Sequence, residues 1–228
     1  MNSNVKKSIA FVYFKNPIDS EGIELKISNF SNAFIKKGFY VLKKPVKVED
    51  GLIKSTKNLF SVVRLKTSYI FIRYNNSRNV LFLFLFMLLR LKKRRIIIEV
   101  PTPIINNQNE ITISKASLIR KVYLYLTTVI LGPIPFAFGH LVIQYAEEGR
   151  YYKLLTKNSI LIGNGIDSDY YTPSVELLKP NITEQYEIVV IANLAPWHGI
   201  DLLLNALKKF KPNFKLHIIG DGVEINNL

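Results

Sequence analysis

Short apolar runs alternate along most of the chain with apolar positions at helical spacing. The run Ser8 to Phe14, bracketed by Lys7 and Lys15, is too short for a signal-peptide core and predicts a strand over Lys7–Tyr13. Ile23, Ile27, Phe30 and Phe34 then fall four, three and four apart, which is one face of a helix, and Gly38 follows as a stop signal. A second strand is expected over Phe39–Leu42 and a weaker helix over Leu52–Leu65. Next come a strand over Ser68–Arg73, a helix over Asn76–Lys92, a strand over Arg95–Val100 ended by Pro101, and a polar loop over 101–113. The pattern continues with a helix over Lys115–Leu131, a strand over Leu141–Gln144, a helix over Ala146–Leu155 and a strand over Ser159–Ile162. Strands that alternate with helices imply parallel pairing through right-handed crossovers.

The stretch Asn164–Pro180 breaks this rhythm with Gly165, Pro173, Pro180 and many polar residues. It divides the chain into a domain over 1–165, a hinge over 166–180 and a second unit over 181–228. That unit reads as one βαβ: strand Glu187–Ala192, helix Ile200–Phe210, strand Lys215–Ile219, then Gly220-Asp221-Gly222. A single βαβ buries its sheet poorly, so the second domain is expected to be incomplete.

Two apolar runs raise the question of a membrane. Val80 to Leu89 holds ten apolar residues, a helix of ~15 Å that reaches halfway through a hydrocarbon core. Arg90, Lys92, Lys93, Arg94 and Arg95 follow it. Val122 to Ile143 is 22 residues without Asp, Glu, Lys or Arg, but Gly132, Pro133, Pro135 and Gly139 interrupt it. The expected structure is a buried helix, a turn and a buried strand; a transmembrane helix is the alternative.

Charge sharpens the picture. Residues 1–165 carry 26 Lys and Arg against 9 Asp and Glu, and residues 166–228 carry 5 against 8. The basic excess of the first part favours an anionic partner. The apolar face of Val80–Leu91, with Lys36, Lys37, Lys43, Lys44, Lys47, Arg120 and Lys121, suits an anionic membrane surface. A solvated, dipole-complementing helix end is the plainer reading of Arg90–Arg95. No helix-turn-helix, zinc-finger or aromatic RNA-binding signature is present, so nucleic acid is not expected as a partner. The 228-residue chain has no Cys, which excludes disulfides and thiolate chemistry and fits a reducing, cytoplasmic setting. His140, His198 and His217 are not at metal-ligand spacing, so a His-built metal site is not expected; no permanently bound cofactor is expected either.

The candidate chemistry lies in Ile191-Ala192-Asn193-Leu194-Ala195-Pro196-Trp197-His198-Gly199-Ile200-Asp201, where a strand ends and a helix starts at a glycine. Open parallel sheets bind ligands at such loops, and a helix N-terminus presents N–H groups to phosphates. The plainer reading is an ordinary loop with Trp197 packed in the core.

Asn164-Gly165-Ile166-Asp167 followed by Tyr171-Thr172-Pro173 resembles the N-G-V-D…F-x-P segment that links the two Rossmann-like domains of family 4 glycosyltransferases, enzymes of the GT-B fold. "WHGID" resembles the family's "KGID" element, and Lys37-Gly38-Phe39-Tyr40-Val41 its "G-H-x-V" entry to strand two. "YIFIRYN" and "IIIEVPTP" resemble segments of bacterial exopolysaccharide and capsule transferases. The resemblance spans essentially the whole chain. It implies an α/β, GT-B-like protein: a Rossmann-like acceptor-side domain plus the first βαβ of a second, nucleotide-sugar-binding domain. The implied activity is retaining transfer from a nucleotide-diphosphate sugar to a lipid-linked or other glycan acceptor, at the inner face of the membrane.

By that resemblance Gly22 approaches the reacting centre from the acceptor side. Asn193, Trp197, His198, Gly199, Gly220 and Gly222 meet the donor. Asn193 stands where the family has Arg, and His198 where it has Lys. "EVPT" replaces a customary His at the end of the fifth strand, which makes Glu99 the candidate catalytic residue, with Thr102 near it; a structural strand-end carboxylate is the plainer reading of Glu99. The family's Glu-x7-Glu motif would lie beyond Leu228, so little or no transfer by this chain is expected. The competing reading is a non-catalytic basic α/β module that binds an anionic surface or a partner enzyme.

Overall fold

The computed structural model describes residues 7–15, 21–47, 51–74, 79–101, 117–145, 156, 158–163, 165, 172, 186–192, 194–195, 198–209, 213–222 and 224–227. The chain divides into two units, 1–167 and 168–228. The expected helix over Ala146–Leu155, the loop over 102–113, Asn164 and nearly all of the expected hinge lie outside the described residues.

The first unit is a Rossmann-like α/β domain: a six-stranded parallel sheet flanked by helices. Its strands are β1 (Ser8–Lys15), β2 (Tyr40–Lys47), β3 (Tyr69–Arg73), β4 (Arg95–Val100), β5 (Leu141–Gln144) and β6 (Ser159–Leu161), in the order β2-β1-β3-β4-β5-β6. All pairs are parallel. The chain steps from β1 out to β2, then returns to the other side of β1 with β3. That reversal creates a switch point at the carboxyl ends of β1 and β3, where such sheets bind ligands.

β1 lies between two neighbours, and its run is apolar on both sides. Ala10, Val12 and Phe14 join one cluster with Phe82, Leu85, Phe86 and Leu89. Ile9, Phe11 and Tyr13 join another with Ile27, against which Ile23, Phe30 and Phe34 pack. The first cluster is covered by α3 (Asn79–Leu91), with α2 (Gly51–Phe60) and the 3-10 turn Ser61–Arg64 beside it. The second is covered by α1 (Glu21–Lys36). The helical spacing read from Ile23 to Phe34 is therefore the face α1 buries.

α1 ends as its sequence predicts. Gly38 adopts the left-handed conformation (φ 81°), its N–H bonds to Ile35 C=O at 2.9 Å, and Phe39 N–H bonds to Phe34 C=O at 3.0 Å. These two bonds make a Schellman motif, closed by the Phe34–Phe39 ring contact. The expected strand Phe39–Leu42 extends to Lys47, through Lys43, Lys44 and Pro45. β2 is an edge strand, where Pro and Lys are tolerated and discourage pairing with another chain.

The long apolar run differs from expectation. α4 (Leu118–Tyr125) has no buried residue, although a buried helix is expected there. It passes into a wide π-type turn over Leu126–Ile130 and a 3-10 turn over Ile134–Phe138 before β5. The stretch Leu118–Phe138 is long and apolar enough to cross a membrane by length and composition, but it is not one continuous helix. The buried side chains come after α4: Thr128, Pro133, Pro135 and Phe136. The sheet face takes up the turns and leaves the helix outside.

The second unit pairs β7 (Tyr186–Ile191) with β8 (Phe214–Ile219) in parallel, joined through α5 (Ile200–Leu207).

Candidate functional site at the strand carboxyl ends

β3 and β4 are in register Arg73↔Glu99, so an Arg and a Glu lie side by side at the carboxyl ends of two buried strands. Glu99 is fully buried. Its Oε1 accepts three donors: Arg73 Nη1 at 2.8 Å, Tyr145 Oη at 3.0 Å and Lys26 Nζ at 3.1 Å. Its Oε2 has no hydrogen-bond partner among the described residues. Lys26 reaches the carboxylate from α1, and its ammonium also sits 3.7 Å from the centroid of the Tyr145 ring. Tyr145 follows β5 directly. Four separate elements thus converge on one oxygen.

Two cations face one anion here, so the cluster carries a net positive charge. Burial, followed by the negative charge of Glu99 and the hydrogen bond to it, pushes the Tyr145 phenol well above its ordinary range. Tyr145 therefore remains a proton donor throughout the neutral range. Beside the cluster runs a groove of about 720 Å3. α1 contributes Gly22, Lys26, Asn29 and Phe30 to its walls, and Tyr145, Ile162, Gly163 and Gly165 line it as well. The groove combines side-chain amides, an ammonium and a phenol with apolar wall, which suits a polar ligand that carries some apolar surface.

Gly22 lines this groove, but a Cβ placed on it would meet nothing within 4 Å. Glycine is therefore not required there by packing. Thr102 lies outside the described residues. Sequence reasoning selected Glu99 and missed Lys26, Arg73 and Tyr145. One signal was available for Lys26: it sits three residues after Ile23 and one before Ile27, a cation at the border of an apolar stripe. Arg73 closes an apolar strand as Glu99 nearly closes the next, but only the register makes them neighbours.

The second unit has its own loop cluster. Beyond the paired strands, Ala192 N–H bonds to Ile219 C=O at 3.1 Å and Leu194 N–H to Asp221 C=O at 2.8 Å. Glu224 N–H returns to Leu194 C=O at 3.0 Å. Gly220 is the condition for this closeness: with φ 147°, a Cβ there would lie 1.9 Å from the Ala192 carbonyl oxygen. Gly222 N–H is held by Asp221 Oδ1 at 2.7 Å. Gly199 opens α5 in the left-handed conformation (φ 64°), and Leu194, Ala195 and Ile200 are buried around it. His198 is exposed and its N–H bonds to Ala195 C=O at 2.9 Å. Asp201, in the first turn of α5, complements the positive end of the helix dipole and would repel an anion at that end. The structure thus brings His198, Gly199, Gly220 and Gly222 to one end of a parallel strand pair. Asn193 and Trp197 lie outside the described residues.

The chain matches no protein-family model, and no curated protein matches it.

Proposed function

We propose that the chain is the acceptor-side domain and the opening βαβ of a GT-B-type glycosyltransferase, whose reaction moves a sugar from a nucleotide-diphosphate sugar to a lipid-linked glycan acceptor in cell-surface polysaccharide synthesis at the cytoplasmic face of the membrane. The observation that carries this reading is the Gly220 contact. It lets the turn after β8 approach the loop after β7 at the carboxyl end of a parallel pair, where open α/β sheets hold nucleotides. The motif order described above supplies the class of ligand. In this reading the first unit receives the acceptor in the groove beside Lys26 and Tyr145. Glu99 fixes those two side chains and Arg73 through a single oxygen, as a positioning residue. In the second unit His198 and the N–H groups at the start of α5 face the diphosphate, whose charge grows as the sugar leaves.

Asp201 favours the competing reading, a basic α/β module without transferase activity, because a carboxylate in the first helical turn opposes an incoming diphosphate. Isothermal titration of the full chain with UDP, GDP and their sugar conjugates separates the two. The transferase reading expects saturable binding, weakened about tenfold by His198→Ala, the loss of one hydrogen bond to a charged group. Absence of heat with every nucleotide would leave the module.

A further inference from the structure

We infer that α4, together with the outer side of α3, docks the chain on an anionic lipid surface, α4 lying in the interface plane. This inference stands on surface chemistry alone and holds whatever reaction the chain takes part in. It departs from the expectation that α4 is buried.

On α4, Leu118, Ile119, Val122, Tyr123 and, one residue on, Leu126 fall at i, i+1, i+4, i+5 and i+8, a single apolar stripe. All five are exposed, Ile119 to 84%. α3 has a second stripe on the side away from the core. Val80, Phe84, Met87, Leu88 and Leu91 are exposed, whereas Phe82, Leu85, Phe86 and Leu89 are fully buried. The turns that continue α4 lie on the same side of the sheet as α3. Val129 and Phe138, in the turns that continue α4, pack on the same apolar cluster as α3, and Tyr74 Oη donates to Gly132 C=O at 2.8 Å between them. Exposed apolar stripes on two such segments mark a partner or a membrane.

Charge decides which. Residues 51–98 hold eleven Lys and Arg and not one Asp or Glu, and residues 111–146 hold three and none. Lys92 and Lys93 are exposed directly after α3, and Arg120 is exposed beside the α4 stripe. A second copy of this chain packed over the same face would press like charges together. An anionic headgroup layer instead pairs with the cations while the stripes enter the acyl boundary. α4 is eight residues, ~12 Å long, and runs on into the wide π-type turn and then a 3-10 turn whose Pro135 and Phe136 are buried in the domain, so it enters the interface without crossing it.

Flotation of the full chain with vesicles tests this. The chain is expected to float with equal parts phosphatidylcholine and phosphatidylglycerol and to stay behind with phosphatidylcholine alone. Ile119→Ser with Tyr123→Ser should lower partitioning at least tenfold. Lys92→Ala with Lys93→Ala should lower it roughly 25-fold, about fivefold per cation. Leu202→Ser, an equally exposed apolar position on α5, should leave it unchanged. Because these side chains are exposed, circular dichroism and thermal melting of each variant should match the parent. Failure of the parent to float with the anionic vesicles overturns the inference, as does undiminished flotation of the α4 double variant. A dimer in sedimentation velocity that the same α4 substitutions dissolve would assign this face to a second copy and also overturn it.

Discussion

β1–α1–β2 and β7–α5–β8 follow one plan, a strand, a crossover helix and a parallel second strand, yet they bury their apolar residues to different degrees. Six consecutive residues of β1, Ile9 to Phe14, are buried. In β7 no residue is buried, and Val189 and Ile191 are more than half exposed. Both strands are rich in β-branched and aromatic residues, so propensity does not separate them. Neighbours do. β1 is paired on both edges and covered on both faces, by α1 on one and by α2 and α3 on the other. β7 pairs with β8 alone among the described strands. The lesson is that an apolar strand sequence is a demand for cover, and the number of layers and strands around it determines how far the demand is met. Backbone precision does not follow burial. The tightest glycine contact among the described residues is at Gly220, in the less buried unit.

The largest test of this contrast is truncation of the two strands. Phe11 is fully buried between Phe34, centroids 5.6 Å apart, and Phe71, 4.9 Å apart. Phe11→Ala should cost about 3–5 kcal/mol in urea unfolding of the first unit. Val189→Ala should cost less than about 1 kcal/mol. Similar losses at the two sites would break the comparison.

A glycine pair sharpens it in the opposite direction. Gly220→Ala forces the backbone apart at Ala192 and should destabilise the second unit by about 2 kcal/mol or more, read by hydrogen exchange at Leu194 and Ala192. Gly22→Ala meets no atom and adds a helix former to α1, so it should be neutral or stabilise by about 0.5 kcal/mol. Equal tolerance at both positions would contradict the close approach.

The smallest effect is a pH dependence confined to the first unit. The Tyr145 phenol is raised above its ordinary value of 10.0, chiefly by burial and then by Glu99. The unfolded chain therefore loses this proton first. The stability that the neutral phenol contributes is complete below pH 10 and is lost as pH rises beyond it. Tyr145→Phe removes that dependence along with the hydrogen bond to Glu99. The variant should melt below the parent near neutral pH, with the gap closing above about pH 10. A constant gap across that range would show that Tyr145 does not titrate differently in the folded chain.

Much of the candidate site was hidden for a reason visible in its residue numbers. Lys26, Arg73, Glu99 and Tyr145 come from four elements and meet at one oxygen. No local pattern encodes a meeting across 119 residues of chain. Glu99 was legible because "EVPT" stands where the resembled family has a customary His; its partners were ordinary at their own positions. The loop of the second unit was more legible, since Gly199 and Gly220 are backbone requirements written locally.

The sequence by itself determined the elements and their ends. Apolar runs fixed β1, β3, β4 and β5, the Ile23–Phe34 spacing fixed the buried face of α1, and Gly38 fixed its stop, because these depend on period and on local backbone sterics. Tertiary structure decided the strand order, the convergence on Glu99 and the exposure of α4. Each depends on which segments distant in sequence become neighbours, and an apolar helix carries the same residues whether it faces a sheet or the outside.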